Sequence, residues 1–206
     1  MKLAILGATG GTGRELVRQA LARGHVVTAL VRDPSRAGFD DHPRLRRVRV
    51  DANDPASLAA AIDAQTTLLC GLGIPKGGRP GVLAAGAQAA VAAGPARIIW
   101  LGAFGTGASA QAGGWLVRTL LGLFLGQQLA DKIAADTTVL RAGGTVFHAG
   151  PLSMAPESAR RRTVDLDDAP ARLFPATVGR ATVAAAMLDE AESPRFAGRT
   201  AIPLAH

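Results

Sequence analysis

The chain of 206 residues has no tyrosine, one cysteine and an aromatic content of only 4%. Without tyrosine, no phenol can serve as an acid anywhere in the molecule. The single cysteine, Cys70, excludes an intramolecular disulfide framework and a cysteine-rich metal site. It falls in an apolar stretch, where inert packing is expected. The four histidines have no metal-ligand spacing, so no metal is expected. Low-complexity polar tracts are missing, and an apolar content of 48% argues for a folded globule. Long apolar runs are missing too. The run after Lys2 stops at a glycine turn, which does not read as a signal peptide. The most apolar segment, Gly114–Gly126, is interrupted by Arg118 and is too short to cross a bilayer. It reads as a buried helix, a homodimer face or a pocket wall. A cytoplasmic protein with no membrane partner is expected.

Lysine is scarce. Of 23 basic residues only three are lysines, and the net charge is +7. Such an excess suits nucleic acid, a membrane surface or an anionic small ligand. The arginines are scattered, however, and the dense spots at Arg160–Arg162 and Arg44, Arg46, Arg47 and Arg49 read as solvated faces. No nucleic-acid partner is expected.

What the chain does have is one informative start. Leu3-Ala4-Ile5-Leu6 runs into Gly7-Ala8-Thr9-Gly10-Gly11-Thr12-Gly13, and an amphipathic pattern follows at once. A continuous apolar run suits a parallel strand buried on both faces. Gly7, Gly10, Gly11 and Gly13 let the backbone turn sharply and let a ligand approach closely. The free N–H groups and positive dipole end of the next helix then face that turn, which makes a place for a pyrophosphate. The spacing is Gly-x-x-Gly-x-x-Gly rather than the commoner Gly-x-Gly-x-x-Gly.

The helix runs from Arg14 to Arg23 and Gly24 ends it. A second strand, His25–Val31, leads into Arg32-Asp33-Pro34-Ser35-Arg36. In dinucleotide folds an acid at this strand end takes the ribose 2′-hydroxyl of NAD, whereas arginine accommodates the 2′-phosphate of NADP. Arg32 holds that place, with Ser35 as a hydroxyl donor and Arg36 as a second charge. Asp33 before Pro34 reads as a cap. NADP(H) is therefore expected over NAD(H).

Strand three, Arg46–Val50, leads to Asp51-Ala52-Asn53-Asp54-Pro55. Asp54 and Pro55 start a helix through Leu58 and Ile62. Asp51 is either an acceptor for the adenine amino group or a second turn-capping acid. Strand four, Thr66–Gly71, ends in small residues, Gly71-Leu72-Gly73, that let a nicotinamide lie against backbone. A helix at Val82–Ala93, a fifth strand at Ala96–Leu101, a helix at Gln127–Ala142 and a sixth strand at Thr145–Ala149 follow. Pro151–Pro170 reads as a loop, Thr177–Glu190 as the last helix and Phe196–Pro203 as an edge strand, since proline is tolerated only at an edge. The alternation gives an α/β chain, one Rossmann-like domain over residues 1–206. Its doubly wound parallel sheet has six or seven strands and helices on both faces.

Over nearly its whole length the chain resembles an atypical short-chain dehydrogenase/reductase of the NAD(P)H-binding, NmrA-like type, a group that includes biliverdin reductase B-like flavin reductases. Ile5–Gly13 carries most of the resemblance. Val31–Arg36, Asp51–Leu58, Leu129–Lys132 and Thr145–Phe147 before Gly150 carry the rest. The resemblance implies that Thr9 to Thr12, between Gly7 and Gly13, hold the pyrophosphate. It implies that Arg32 and Arg36 hold the 2′-phosphate, and Asp51 with the Ala52 backbone the adenine. Gly71, Leu72 and Gly73 would line the nicotinamide half, and Lys132 would reach its ribose.

The departures matter as much. The Tyr-x-x-x-Lys of the wider superfamily is absent, with Gln128 four residues before Lys132. Gly102-Ala103 replaces the usual serine after strand five, and His148-Ala149 replaces an Arg-Pro pair. His148 is the candidate proton donor, or else a hydrogen-bonded structural residue. No serine stands in a nucleophile elbow. Two functions follow. One is an NADPH-dependent oxidoreductase that passes hydride directly to a flavin, quinone or similar small acceptor, carbonyls included. The alternative is a non-catalytic NADP(H)-binding sensor whose partner reads the cofactor.

Overall fold

The computed structural model describes residues 1–73, 81–106, 109, 127–170 and 176–205. Strand β1 (Lys2–Leu6) has no polar side chain after Lys2, and its last four residues are buried. A strand with two apolar faces belongs inside a sheet covered on both sides. It lies between β2 (Val26–Val31) and β4 (Thr67–Cys70), parallel to both. With β3 (Leu45–Arg49), β5 (Arg97–Ala103), β6 (Thr145–Ala149), β8 (Arg162–Asp165) and β10 (Thr200–Leu204) they form an eight-stranded sheet. Its order is β3-β2-β1-β4-β5-β6-β10-β8. Every pairing is parallel except β10 with β8. Two short strands, β7 (Leu152–Ser153) and β9 (Val178–Gly179), pair separately.

Side chains alternate across a strand, so β1 feeds two cores. Leu3 and Ile5 pack with Leu16 and Val17 of α1 (Gly11–Ala22) and Val183 and Met187 of α5 (Arg180–Glu192). Ala4 and Leu6 pack on the other face with α2 (Pro55–Ala59), α3 (Val82–Ala92) and α4 (Gln127–Arg141) through Leu58, Leu83, Ala87 and Val139. The order 3-2-1-4 reverses direction between β1 and β4, and ligands of such sheets bind at that switch, beyond the strands' C-terminal ends. Both informative stretches of the sequence end there.

Four expectations need correction. The sheet has eight strands, not six or seven, because β8 forms within Pro151–Pro170, expected as loop. Four residues as polar as Arg-Thr-Val-Asp give no readable alternation. As a result β10 is not an edge strand, and it begins at Thr200 rather than Phe196. Pro203 is tolerated for another reason. Leu166 N–H donates to the Thr200 carbonyl at 2.9 Å, so alternate residues Thr200, Ile202 and Leu204 bond toward β8. Pro203 faces the β6 side, where the register stops at Ala201, and its missing N–H costs no ladder bond. Helix α2 stops at Ala59, short of Ile62, as the Ala61 N–H turns back to Leu58 in a tighter turn. Helix α5 starts at Arg180, not Thr177, because Val178 and Gly179 pair with β7. The apolar segment 114–126 lies outside the described residues.

Caps fix the local starts. Asp33 accepts from Ser35 N–H at 3.0 Å above the short 3-10 turn Pro34–Arg36, and Asp54 does the same for Ala56 at 3.0 Å above α2. Asp63, at the approach to β4, accepts from the Thr66 hydroxyl at 2.7 Å and from Lys2 at 3.0 Å. Those contacts, the hydroxyl's first, hold its carboxyl at about 2 against an ordinary 3.8. A depressed carboxyl stabilises the fold above its unfolded value and stops doing so as pH falls through its folded one. A carbon-detected titration of the chain therefore places the Asp63 midpoint near 2, and Thr66→Val moves it upward.

Candidate dinucleotide site

The glycine turn is closed by contacts that admit no side chain. Gly7 has φ +76°, and a Cβ there would stand 2.9 Å from the Gly71 carbonyl carbon and the Leu72 nitrogen. A Cβ on Gly13 would overlap the Gly7 carbonyl oxygen and lie 2.8 Å from Ala8 Cα. Strand β4's end thus rests directly against the turn, with Gly71 N–H donating to the Leu6 carbonyl at 2.9 Å. Helix α1 has Gly10 as its N-cap and no capping side chain. Its first N–H groups are left to a ligand, and a dinucleotide's pyrophosphate suits them. Thr9, Gly10 and Gly11 are exposed, whereas Thr12 and Gly13 are buried behind them.

Two arginines at this turn carry no sequence signal. Arg14 donates from Nε to the Thr9 carbonyl at 3.1 Å and from its terminal nitrogens to Gly38 and Ala37 at 3.0 and 3.1 Å. It also stacks on Phe39, and so ties the turn to the β2–β3 loop. Arg180, the first residue of α5, lies over Gly11. A Cβ on Gly11 would sit 2.7 Å from Arg180 Cδ and Nε. Its only hydrogen-bond partner among the described residues is the Met154 sulfur, at 3.3 Å. A thioether is a weak acceptor. The guanidinium is therefore free to meet an anion at the turn.

At the end of β2, Arg32 and Arg36 are exposed, with no side-chain partner among the described residues. Arg49 joins them from the neighbouring strand end, in register with Val31, where its charge acts on Asp33. It belongs to the arginine cluster expected only to solvate a face. Ser35 is placed differently from its expected role. Its hydroxyl donates to Asp33 at 2.7 Å, and that bond, with its own N–H, holds the Asp33 carboxyl below the usual range. One hydroxyl has one proton, and here Asp33 takes it. Asp51 forms an Asx turn, its Oδ1 accepting from Asn53 N–H at 2.9 Å and from Asn53 Nδ2 at 3.0 Å. The second oxygen has no partner among the described residues. Ala52 is half-buried beside it, and Gly73 is exposed with nothing within 4 Å of a built Cβ.

The far end of the site holds a cluster that spacing alone did not reveal. His148 on β6 is buried at 1% exposure, its Nε2 3.0 Å from Asp136 Oδ2 of α4 and its Nδ1 2.7 Å from Ser109 Oγ. Both ring nitrogens are thus engaged, and a proton leaves His148 only through Ser109 or Asp136. This limits its expected role as a direct donor to substrate. Gly102 is paired with His148 across the ladder. A Cβ there would stand 2.8 Å from Asp136 Oδ1 and 2.9 Å from His148 Cδ2. Glycine in place of a serine therefore makes room for a buried carboxylate and imidazole to meet. Lys132 lies one turn before Asp136, half-buried. Burial lowers the pKa of its ammonium while Asp136 and Asp131 raise it. Cys70 is buried in β4, and burial pushes its thiol up, away from reactivity.

A parallel sheet with this strand order, a glycine turn open at a helix N-terminus and free guanidiniums at the β2 end define a dinucleotide-binding α/β protein. The chain belongs to the NAD(P)H-binding family, whose profile matches residues 7–194. Among solved structures it is similar to ChuY, an anaerobilin reductase from Escherichia coli O157:H7. The TM-score is 0.76 at 19% identity, covering 99% of this chain and 97% of that one. It is similar too to a short-chain dehydrogenase/reductase from Veillonella parvula solved with NADP, with TM-score 0.77 at 16% identity over 98% of this chain and 93% of that one. At these identities the likeness establishes the fold. A 3-diazoavenalumate denitrifying reductase from Streptomyces is 45% identical over 64 residues, 31% of this chain and 20% of that protein. The matches span under a third of the length of the curated relatives. No helix among the described residues is long and apolar enough to cross a membrane.

Proposed function

We propose that this protein is a cytoplasmic NADPH-dependent oxidoreductase, passing hydride directly to a flavin, quinone or similar small acceptor. The observation that carries the preference for NADPH is the set of free guanidiniums, Arg32 and Arg36 with Arg49 beside them, where an NAD-binding site presents an acid. The glycine turn and Arg180 hold the pyrophosphate, Asp51 and the Ala52 backbone the adenine, and Gly71 to Gly73 the nicotinamide half. Bound there, the cofactor supplies the hydride, and the chain supplies position and charge. Reductases among its structural neighbours and partial relatives support the reaction class.

The test is a calorimetric titration with NADPH, followed by NADPH oxidation against a panel of flavins, quinones and carbonyls. Binding with turnover on at least one class is expected. Binding without any turnover favours the alternative, a non-catalytic sensor, which the missing phenol and the engaged His148 would suit. Absence of binding removes both readings. The pyrophosphate role of Arg180 has its own check. Arg180→Ala weakens NADPH and NADH alike, by about tenfold for one charge-assisted contact, because both share the pyrophosphate.

A further inference from the structure

Two polar groups on α4 lack the partners their burial calls for. The Lys132 ammonium is half-buried with no hydrogen-bond or ion-pair partner among the described residues. One turn on, Asp136 is 4% exposed and its Oδ1 has no partner among the described residues. The other nearby carboxylate, Asp131, is spent, since its two oxygens accept the N–H groups of Leu83 and Ala84 at the start of α3. Elements packed on α4 bring few other charges. Helix α3 has none, β5 has only Arg97 at its far end, paired with Glu190, and β6 has His148.

The level of these groups follows from the fold. Helix α4 crosses between parallel strands β5 and β6, so it runs back against them. Asp136 is level with Gly102 and His148, near the strands' C-terminal ends. Lys132, four residues earlier, stands about 6 Å nearer the ligand edge. Behind Asp136 the chain of bonds is complete. Ser109 Oγ accepts from Gly105 N–H at 2.8 Å and lies 3.0 Å from the Thr106 carbonyl, and the Thr106 hydroxyl donates to the Ala103 carbonyl at 2.7 Å while lying 3.3 Å from Asp136 Oδ2. With both ring nitrogens of His148 protonated, they donate to Asp136 and Ser109, and Ser109 donates to the Thr106 carbonyl. With one proton fewer, the Ser109 hydroxyl turns to Nδ1. Either way Asp136 is held by Oδ2, and Oδ1 is left unspent.

We infer that Lys132 is the acid of the reductive step, in the place of the phenol this chain lacks, and that Asp136 is its buried counter-charge, positioned by His148 and Ser109. The inference rests on the reductase reading above. In a quinone or carbonyl acceptor the oxygen gains a proton from Lys132 Nζ. The N–H bond breaks as the O–H bond forms, and the neutral amine then takes a proton from solvent. The electron pair comes with the hydride of NADPH, which is oxidised as the acceptor is reduced.

The experiment combines two readouts on the full chain, with menadione as the acceptor probe. At saturating NADPH, Lys132→Met lowers kcat about 10²-fold and leaves KM for NADPH within a few-fold. A role confined to holding the ribose would move KM instead. An acid must carry its proton, so activity falls as pH rises through its pKa, and Asp136→Asn moves that fall to lower pH. The second readout needs no cofactor. The chain has three lysines, Lys2, Lys76 and Lys132, so the three labelled ε-carbon signals are separable by NMR. The Lys132 signal titrates below the ordinary lysine range and shifts lower again in Asp136→Asn. A Lys132→Met chain that keeps kcat and pH profile overturns the inference, as does a Lys132 signal unmoved by Asp136→Asn or a parent chain that binds NADPH without reducing menadione. If NADPH itself does not bind, the reductase reading falls, and the lysine titration alone upholds or rejects the Lys132–Asp136 pair.

Discussion

Arg32→Ala is expected to weaken NADPH binding about 100-fold while leaving NADH within about threefold, measured by calorimetric titration of each nucleotide. Arg32 is exposed at the end of β2 and has no carboxylate partner among the described residues to leave stranded, so its removal costs the fold little. What it costs is the bond to a dianionic 2′-phosphate. Hydrogen bonds to charged groups are worth about 1.5–3 kcal/mol each, and a guanidinium can give two to one phosphate. Arg36 and Arg49 flank the same position, so some attraction survives and the loss stops near two orders of magnitude. The contrast with NADH is the sharper reading, because NADH has a hydroxyl where NADPH has a phosphate. Raising the salt shrinks the NADPH preference of the parent chain, since these charges face solvent. Equal weakening of both nucleotides would move Arg32 from the 2′-phosphate to a general role in holding the strand end.

Glu190→Ala is expected to remove about 3–5 kcal/mol of stability, which for a chain of this size lowers Tm by roughly 6–20 °C. The Glu190 side chain is 1% exposed and gathers four donors. Arg97 Nη2 lies at 3.0 Å, Thr145 Oγ1 at 3.1 Å, Arg195 N–H at 2.9 Å and Phe196 N–H at 3.1 Å. Arg97 and Thr145 are the first residues of β5 and β6, so this one carboxylate ties two strand starts to the end of α5 and the turn beyond it. Alanine leaves Arg97 Nη2 and the N–H groups of Arg195 and Phe196 without that acceptor, while the Thr145 hydroxyl keeps the Phe196 carbonyl at 3.1 Å. Glu190→Gln keeps an acceptor and loses the charge, so a smaller drop is expected in the same thermal melt. The cluster sits at the N-terminal edge of the sheet, opposite the glycine turn. NADPH affinity at a temperature where both chains are folded is therefore unchanged, and this separates a loss of stability from a loss of site.

The sequence by itself determined the parts of this protein that are contiguous. Strand, glycine turn and helix at residues 3–17 are legible because Gly7 and Gly13 answer a backbone demand made within a few residues, and the strand's apolar run needs no partner to be read. The Asp33-Pro34 and Asp54-Pro55 caps are legible for the same reason, and both stand as caps in the structure. So is the arginine at the end of β2, whose place follows from the strand it terminates. Family and fold class follow from these stretches and the alternation behind them.

Tertiary structure decided the rest. Strand β8 pairs with a strand formed almost forty residues later, and one valine among three polar residues carries no period that announces it. Arg180 reaches Gly11 only because α5 packs beside α1 on one face of the sheet. Gly102, Ser109, Asp136 and His148 come from two strands, a turn and a helix, and meet because β5 and β6 are neighbours with α4 crossing between them. Periodicity tells which face a side chain takes, but not which side chain waits on the other element. Strand order and helix crossing supply that partner: the spacing of Lys132 and Asp136 by itself reads as a surface ion pair, and the fold instead buries Asp136 against His148.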